Sequence, residues 1–226
     1  MRVLAIDTAL SVCSAAVLDA DLDVALAVGS HAMERGHAEA LMPLVHHVVE
    51  AAGGMGRIDR VVATVGPGSF TGLRVGLAAA RGLGLGLGRT VVGVTTLAAI
   101  AAPHLGDDDR RPVAVCIDAR HGRVYLQMFA PGGRTIVAAR TAGVRDAARA
   151  IGTGPVRMVG TGAAAVLAVS EFAGGVEVLD EAFDVPDVLW VARLGAVADP
   201  AASPPRPFYL LAPDAKPSAG GRVARA

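Results

Sequence analysis

Apolar and polar positions alternate in short runs along much of the chain, and the runs come in two similar sets. The segments "VLAID" at 3–7, "VCSAAVL" at 12–18 and "VALAV" at 24–28 predict three strands, joined by the polar turns "TALS" and "DADLD". A second triplet, "AVCID" at 114–118, "RVYLQMF" at 123–129 and "TIVAA" at 135–139, repeats the pattern at an offset of 111 residues. Further on, "VVATVGPGSFTGL" (61–73) and "PVRMVGTGAAAVL" (155–167) each read as a strand, a Gly-x-Gly turn and an apolar helix start, now at an offset of 94. The 17-residue difference falls between the third and fourth strands and predicts about one helix more there in the first copy.

Between the strands the period changes from two to helical. In "RGHAEALMPLVHHVVEAAGG", Leu41, Leu44, Val45, Val48, Val49 and Ala52 recur at helical spacing and predict a helix over 38–52, stopped by Gly53-Gly54. Pro43 lacks an N–H and marks either a kink or a late start. A second helix is predicted over 70–88, with Ser69 or Thr71 as its N-cap. Two tandem β-β-β-α-β lobes define an α/β chain with the duplicated ribonuclease-H-like, actin-like ATPase fold. The second lobe is truncated, because only 59 residues follow Leu167. The expected division is an N-terminal lobe over 1–105, a shorter C-terminal lobe over 106–215 and a flexible tail over 216–226.

Composition narrows the function. Of 226 residues, 53% are hydrophobic, and Ala, Val and Gly-spaced Leu imply a tightly packed core of small side chains. The 21 basic and 21 acidic residues cancel, and only 4% of residues are aromatic. That balance argues against a nucleic-acid surface built from basic and stacking groups. Cys13 and Cys116 lie in apolar runs and read as buried, reduced thiols of a cytoplasmic protein. Asp7 interrupts the apolar N-terminus, so no signal peptide is expected, and the longest uncharged stretch, Thr90 to Gly106, is too short to predict a membrane span.

The glycine turn "VGPGSFTGLRVG" invites a phosphate-binding reading, and the spacing refuses it. No Lys follows Gly72, as a P-loop would need, and Gly66-Pro67-Gly68-Ser69-Phe70-Thr71-Gly72 is one residue too long for a dinucleotide fingerprint. Ser69 has Pro67 where a nucleophile elbow requires Gly. Beyond the turn, Gly72, Gly76 and Ala80 form a small-residue stripe with Leu73 and Leu77 beside it. Such a stripe serves either close packing on the chain's own sheet or a subunit interface, where Arg74 and Arg81 could pair with a partner's acids. Asp7 and Asp118 each follow an apolar strand. They could hold hydrated Mg²⁺ across a cleft or anchor turn amides through Asx-type bonds. The histidines form no i, i+4 pair, and no metal site is expected.

These residues carry a resemblance. "GPGSFTGLRVGLAAARGLGLG", together with "VLAIDTA", "RGHAEALMPLV", "VVGVTTLAAIA", "CIDARHGRVYLQMF", "VGTGA" and "PFYLLAPDAKP" in order, is similar to the TsaB family over nearly the whole chain. The resemblance implies a non-catalytic dimerisation subunit that binds and stabilises the paralogue TsaD. With the ATPase TsaE, the complex transfers threonylcarbamoyl to N6 of the adenosine beside the tRNA anticodon. It implies no catalytic residue and no cofactor in this chain, with ATP and Mg²⁺ conceivable only in the complex. It also implies a TsaB homodimer as an alternative pairing, and contact with tRNA only through partners. The two-helix surface that would be covered is Leu41, Leu44, Val45 and Val48 beside Gly72, Leu73, Gly76, Leu77 and Ala80. On that reading Gly76→Arg blocks assembly and leaves the fold mostly intact. Two departures stand out: Ala9-Leu10 replaces the usual Ser-Thr after "DT", and Tyr209-Leu210-Leu211 replaces "YLR". The competing reading is an actin-like ATPase or kinase with its own nucleotide cleft.

Overall fold

The computed structural model describes residues 1–106, 110–172, 174–179 and 184–211. The expected tail over 216–226 lies outside the described residues. Strands β1 (Arg2–Asp7), β2 (Val12–Asp19) and β3 (Val24–Ala32) form an antiparallel meander, and β4 (Arg60–Gly66) and β5 (Thr90–Thr95) add in parallel on the other side of β1. The sheet order is β3-β2-β1-β4-β5. A second sheet repeats the plan with β6 (Val113–Asp118), β7 (Arg123–Phe129), β8 (Thr135–Gly143), β9 (Val156–Val159) and β10 (Val176–Val178), in the order β10-β9-β6-β7-β8. Two copies of one strand order, with the same senses, make this the duplicated ribonuclease-H-like, actin-like α/β fold.

Each sheet is buried on both faces. Helices α1 (His37–Ala51) and α2 (Phe70–Leu87) cover one face of the first sheet, over Leu4, Ile6, Ala15, Val17, Val61 and Ala63. Helix α3 (Thr96–Ala101) lies between the lobes, where Leu97 and Ile100 pack with Val113, Val115 and Ile117. Helices α4 (Val144–Ile151) and α5 (Ala163–Leu167) cover the outer face of the second sheet. Among the described residues no helix is long and apolar enough to cross a membrane.

Three details differ from the pattern reading. The first lobe does not carry an extra helix; it carries a longer one, 15 residues in α1 against 8 in α4. The signal for α4 is weak because its buried side is mostly alanine, Ala147 and Ala148 with Ile151. Helix α1 starts at His37, so Pro43 sits exposed inside it rather than opening it. Finally, the chain does not stay in the second lobe to the end. Helix α6 (Val188–Val197) returns to the first sheet and seals its rear face with Val188, Val191 and Ala192 against Val3, Ala5, Val62 and Val92. The expected 106–215 lobe therefore gives up its last part to the first, because the rear face of that sheet is apolar and α3, which reaches it with Ala99, leaves most of it to be covered.

Candidate functional site

The β1–β2 turn, Thr8 to Ser11, lies against the glycine turn at the start of α2. Here it is clamped from several sides. Asp7 Oδ1 accepts from the Ala9 amide at 3.0 Å and from Thr64 Oγ1 at 2.5 Å. The Ala9 carbonyl accepts from the Ser69 amide at 2.7 Å. Thr8 Oγ1 donates to the Gly72 carbonyl at 2.8 Å. From α1, His37 Nε2 donates to the Leu10 carbonyl at 3.1 Å, which fixes the proton on that nitrogen because a carbonyl only accepts. Sequence reasoning missed Thr8, His37 and Thr64. They stand in "DT", "RGH" and "VVATVG", but which groups they serve depends on tertiary contacts.

The same clamp explains the glycines. A Cβ on Gly72 would lie 2.0 Å from the Thr8 carbonyl oxygen, one on Gly68 2.3 Å from that of Ala9, and one on Gly76 2.4 Å from Thr8 Oγ1. The glycine turn is thus a seat for the chain's own hairpin. Ser69 caps α2 by accepting from the Gly72 amide at 3.3 Å.

The carboxylates part company. Asp7 is fully buried, its Oδ2 has no hydrogen-bond partner, and burial pushes its pKa up to about 6. Asp118 is exposed, and its Oδ1 accepts from the Arg120 amide at 2.9 Å. Each thus anchors a turn amide, and Asp7 has no solvent path to a hydrated cation. Between the two hairpin turns lies packing: Leu10 joins an apolar cluster with Ile117, Tyr125 and Leu210. These residues do not fit a nucleotide phosphate, since the cradle holds Thr8 and Ala9 and the gap holds Leu10. Among the described residues no group of three or more His, Cys, Asp or Glu could hold a metal. Cys13 and Cys116 are buried free thiols, and desolvation raises them to about 11 and about 12.

Asp7 makes stability depend on pH. Its folded value lies above the ordinary 3.8, so the folded state binds the extra proton between pH 3.8 and about 6. The resulting stabilisation is full below pH 3.8 and is lost as pH rises through 6. It amounts to about 3 kcal/mol. Asp7→Asn is expected to remove this component, so its urea midpoint at pH 4 should fall relative to its midpoint at pH 7 in a direct comparison with wild type. An unchanged difference would show that Asp7 is ionised throughout.

The expected partner-binding side chains are inside the monomer. Leu41 is 1% exposed, Leu44 5%, Val45, Val48, Leu73 and Ala80 0%, and Leu77 2%, with Gly72 and Gly76 also buried. The helical apolar stripe marks the face toward the sheet, where each large side chain gains about 1.5–3 kcal/mol by burial. None of these residues is available to a partner. Nor is Gly76→Arg an interface probe: it would drive the side chain into Thr8 and Ile6 and break the fold. What α1 and α2 present outward is different: Met42, His46 and Glu50 from α1, and Thr71, Arg74, Ala78, Gly82 and Leu85 from α2. Leu85 is 87% exposed and Met42 44%.

The two arginines proposed for a partner are engaged at home. The Arg74 guanidinium sits 3.7 Å over the Phe70 ring, which leans on Tyr209 at 5.0 Å. Arg81 Nε donates to the Pro205 carbonyl at 2.9 Å. Both hold a strap, Ser203–Leu211, that crosses the glycine turn. The strap also bonds to the sheet, with the Phe208 amide donating to the Val65 carbonyl at 2.7 Å and the Gly93 amide to that of Ser203 at 2.9 Å. Gly66, at φ 111°, lets the Phe208 carbonyl come to 2.8 Å of where a Cβ would stand. Leu210, the residue before the Leu211 that replaces the usual Arg, packs between the lobes, and its carbonyl accepts from Thr141 Oγ1 at 3.1 Å.

Fold and site together define a class: a duplicated actin-like protein whose glycine turn is filled by its own first hairpin. The comparisons with known proteins refine this. A family model described as TsaD, tRNA N6-adenosine threonylcarbamoyltransferase, matches residues 30–186. An uncharacterized protein of Mycobacterium tuberculosis is 36% identical over 220 residues, covering 96% of this chain and 95% of that protein. The tRNA threonylcarbamoyladenosine biosynthesis protein TsaB of Escherichia coli is 36% identical over 126 residues, 55% of this chain and 53% of that protein. A crystal structure from Pseudomonas aeruginosa, described as an uncharacterized protein with similarity to peptidase YeaZ, superposes with a TM-score of 0.75 at 23% identity, covering 93% of this chain and 99% of that one. The chain belongs to the family of that transferase model, in its TsaB branch.

Proposed function

We propose that this chain is a non-catalytic scaffold in the biosynthesis of threonylcarbamoyladenosine in tRNA, acting by docking and stabilising a TsaD-type transferase. The pathway is supported by relatives in Escherichia coli and Haemophilus influenzae that are named tRNA threonylcarbamoyladenosine biosynthesis protein TsaB. The observation that carries the docking role is the outward face of α1 and α2. It sets small and apolar groups, Ala78, Gly82, Leu85 and Met42, among the polar His46, Glu50, Thr71 and Arg74 on two well-packed helices. Small residues let a partner helix approach closely, and exposed apolar area on a rigid surface is the raw material of an interface. The absence of chemistry on this polypeptide is supported by the filled cradle. No nucleotide binds in its own cleft, and an ATPase such as TsaE meets it only within the complex.

The test is to mix the full chain with its cognate TsaD-type paralogue and to measure mass by light scattering. A stable 1:1 or 2:2 complex in place of the separate species is expected. Persistence of two unassociated species at concentrations of tens of micromolar would overturn the reading. A homodimer of this chain that yields to the paralogue on mixing would support it, because both pairings would use one face.

A further inference from the structure

A net charge of zero argued against contact with nucleic acid, but an average over the chain hides how the charge is distributed. Residues 1–105 carry seven arginines against eight carboxylates. Between Asp118 and Arg149 there are six arginines and one histidine against two aspartates. The fold gathers most of these at one end of the second lobe. The β6–β7 turn carries Arg120, His121 and Arg123, and the Val144 amide at the start of α4 donates to the Gly122 carbonyl at 3.1 Å. That bond brings Arg145 beside the turn. Arg140 lies on β8 opposite Leu126, three positions from the Gly143 that pairs with Arg123. All of Arg120, His121, Arg123, Arg140, Arg145 and Arg149 are exposed.

The local acids are already occupied. Asp146 accepts from Arg149 at 3.1 Å, and Asp118 Oδ1 accepts from the Arg120 amide at 2.9 Å. Arg111 and Arg157 share Glu177, whereas no carboxylate pairs with Arg120, Arg123, Arg140 or Arg145 among the described residues. The turn's shape is fixed as well. Arg120, His121 and Gly122 are consecutive left-handed residues, at φ 63°, 52° and 69°, closed by the Ala119 amide to the Arg123 carbonyl at 2.9 Å. Guanidinium groups without carboxylate partners, carried by a backbone of fixed shape on a surface lacking exposed aromatics, suit a row of phosphates rather than unstacked bases.

We propose that this end of the second lobe is a docking surface for structured RNA, engaging its phosphate backbone through Arg120, Arg123, Arg140 and Arg145. The identity of the RNA as a tRNA rests on the pathway proposed above; the phosphate contact itself does not. The surface lies on the second lobe, whereas the proposed docking face lies on α1 and α2 of the first. This chain thus contributes to substrate positioning as well as to assembly.

The experiment is fluorescence anisotropy of a labelled, unmodified tRNA transcript titrated with the full chain over a range of salt. Binding in the micromolar range is expected near ~0.1 M salt. Log Kd should rise with log salt at a slope of about 3.6, from ~0.9 for each of the four phosphates contacted. The triple variant Arg120→Glu, Arg123→Glu, Arg145→Glu should bind at least about tenfold more weakly, with an unchanged thermal midpoint. Should it unfold, single Arg→Ala variants serve instead, each lowering the slope by about one. The control Arg57→Glu, Arg89→Glu changes two exposed charges of the first lobe and should bind as wild type. Three outcomes would overturn the proposal: no anisotropy change at ~50 μM chain, a loss equal in the control, or equally tight binding of a poly-glutamate peptide. Light scattering with the transferase paralogue separates the two claims. Failed assembly of wild type counts against the scaffold role and leaves the RNA result standing, and the triple variant should assemble normally.

Discussion

Gly72→Ala is expected to destabilise the chain by at least about 3 kcal/mol. The added methyl would meet the Thr8 carbonyl oxygen at 2.0 Å, and that atom is backbone within the clamped hairpin. Thr8 cannot retreat without breaking its own bond to the Gly72 carbonyl or shifting Asp7 and Thr64 behind it. Gly82→Ala in the same helix provides the contrast. Nothing lies within 4 Å of its Cβ position, so alanine should stabilise by up to ~1 kcal/mol through helix propensity alone. Urea unfolding of the pair separates the two effects. If both variants gained stability, the seating of the hairpin on α2 would be wrong.

Ala78→Arg addresses the docking face directly. Ala78 is exposed on the outward side of α2, so arginine there leaves the core untouched and the thermal midpoint within a degree or two of wild type. Against a partner helix the same side chain would hold the two surfaces apart. Affinity for the transferase paralogue should fall at least about 100-fold, on the order of 3 kcal/mol, as for a disrupted central contact. Undiminished affinity, measured by calorimetry, would place the interface elsewhere. This substitution takes the place of Gly76→Arg, whose side chain would enter the monomer's own core.

That exchange of Gly76 for Ala78 shows how far the sequence could be read. The strands and their duplication were legible because "VLAID" and "AVCID" keep one offset through three elements, and a period of two is hard to mistake. Helices α1 and α2 were legible from their apolar stripes, but those stripes report the face that the sheet covers. The outward residues, Ala78, Gly82 and Leu85, share the helical spacing but lack a hydrophobic contrast with their neighbours, because an interface between helices is specified by smallness and shape. Helix α4 went unread because Ala147 and Ala148 bury little area each. Asp7 and Asp118 stood out equally in the two copies, yet one is sealed and the other exposed. The difference lies in α1 and α2, which close over the first hairpin and have no counterpart of the same length over the second.

The return of α6 to the first sheet ties the order of synthesis to the order of folding. Val3, Ala5, Val62 and Val92 are made early, but the helix that covers them spans residues 188–197. Until that stretch leaves the ribosome, the first half of the chain has a greasy, unprotected back. The two halves, though copies of one plan, therefore mature together as a single cooperative body, and a nascent chain halted midway is a natural client for chaperones.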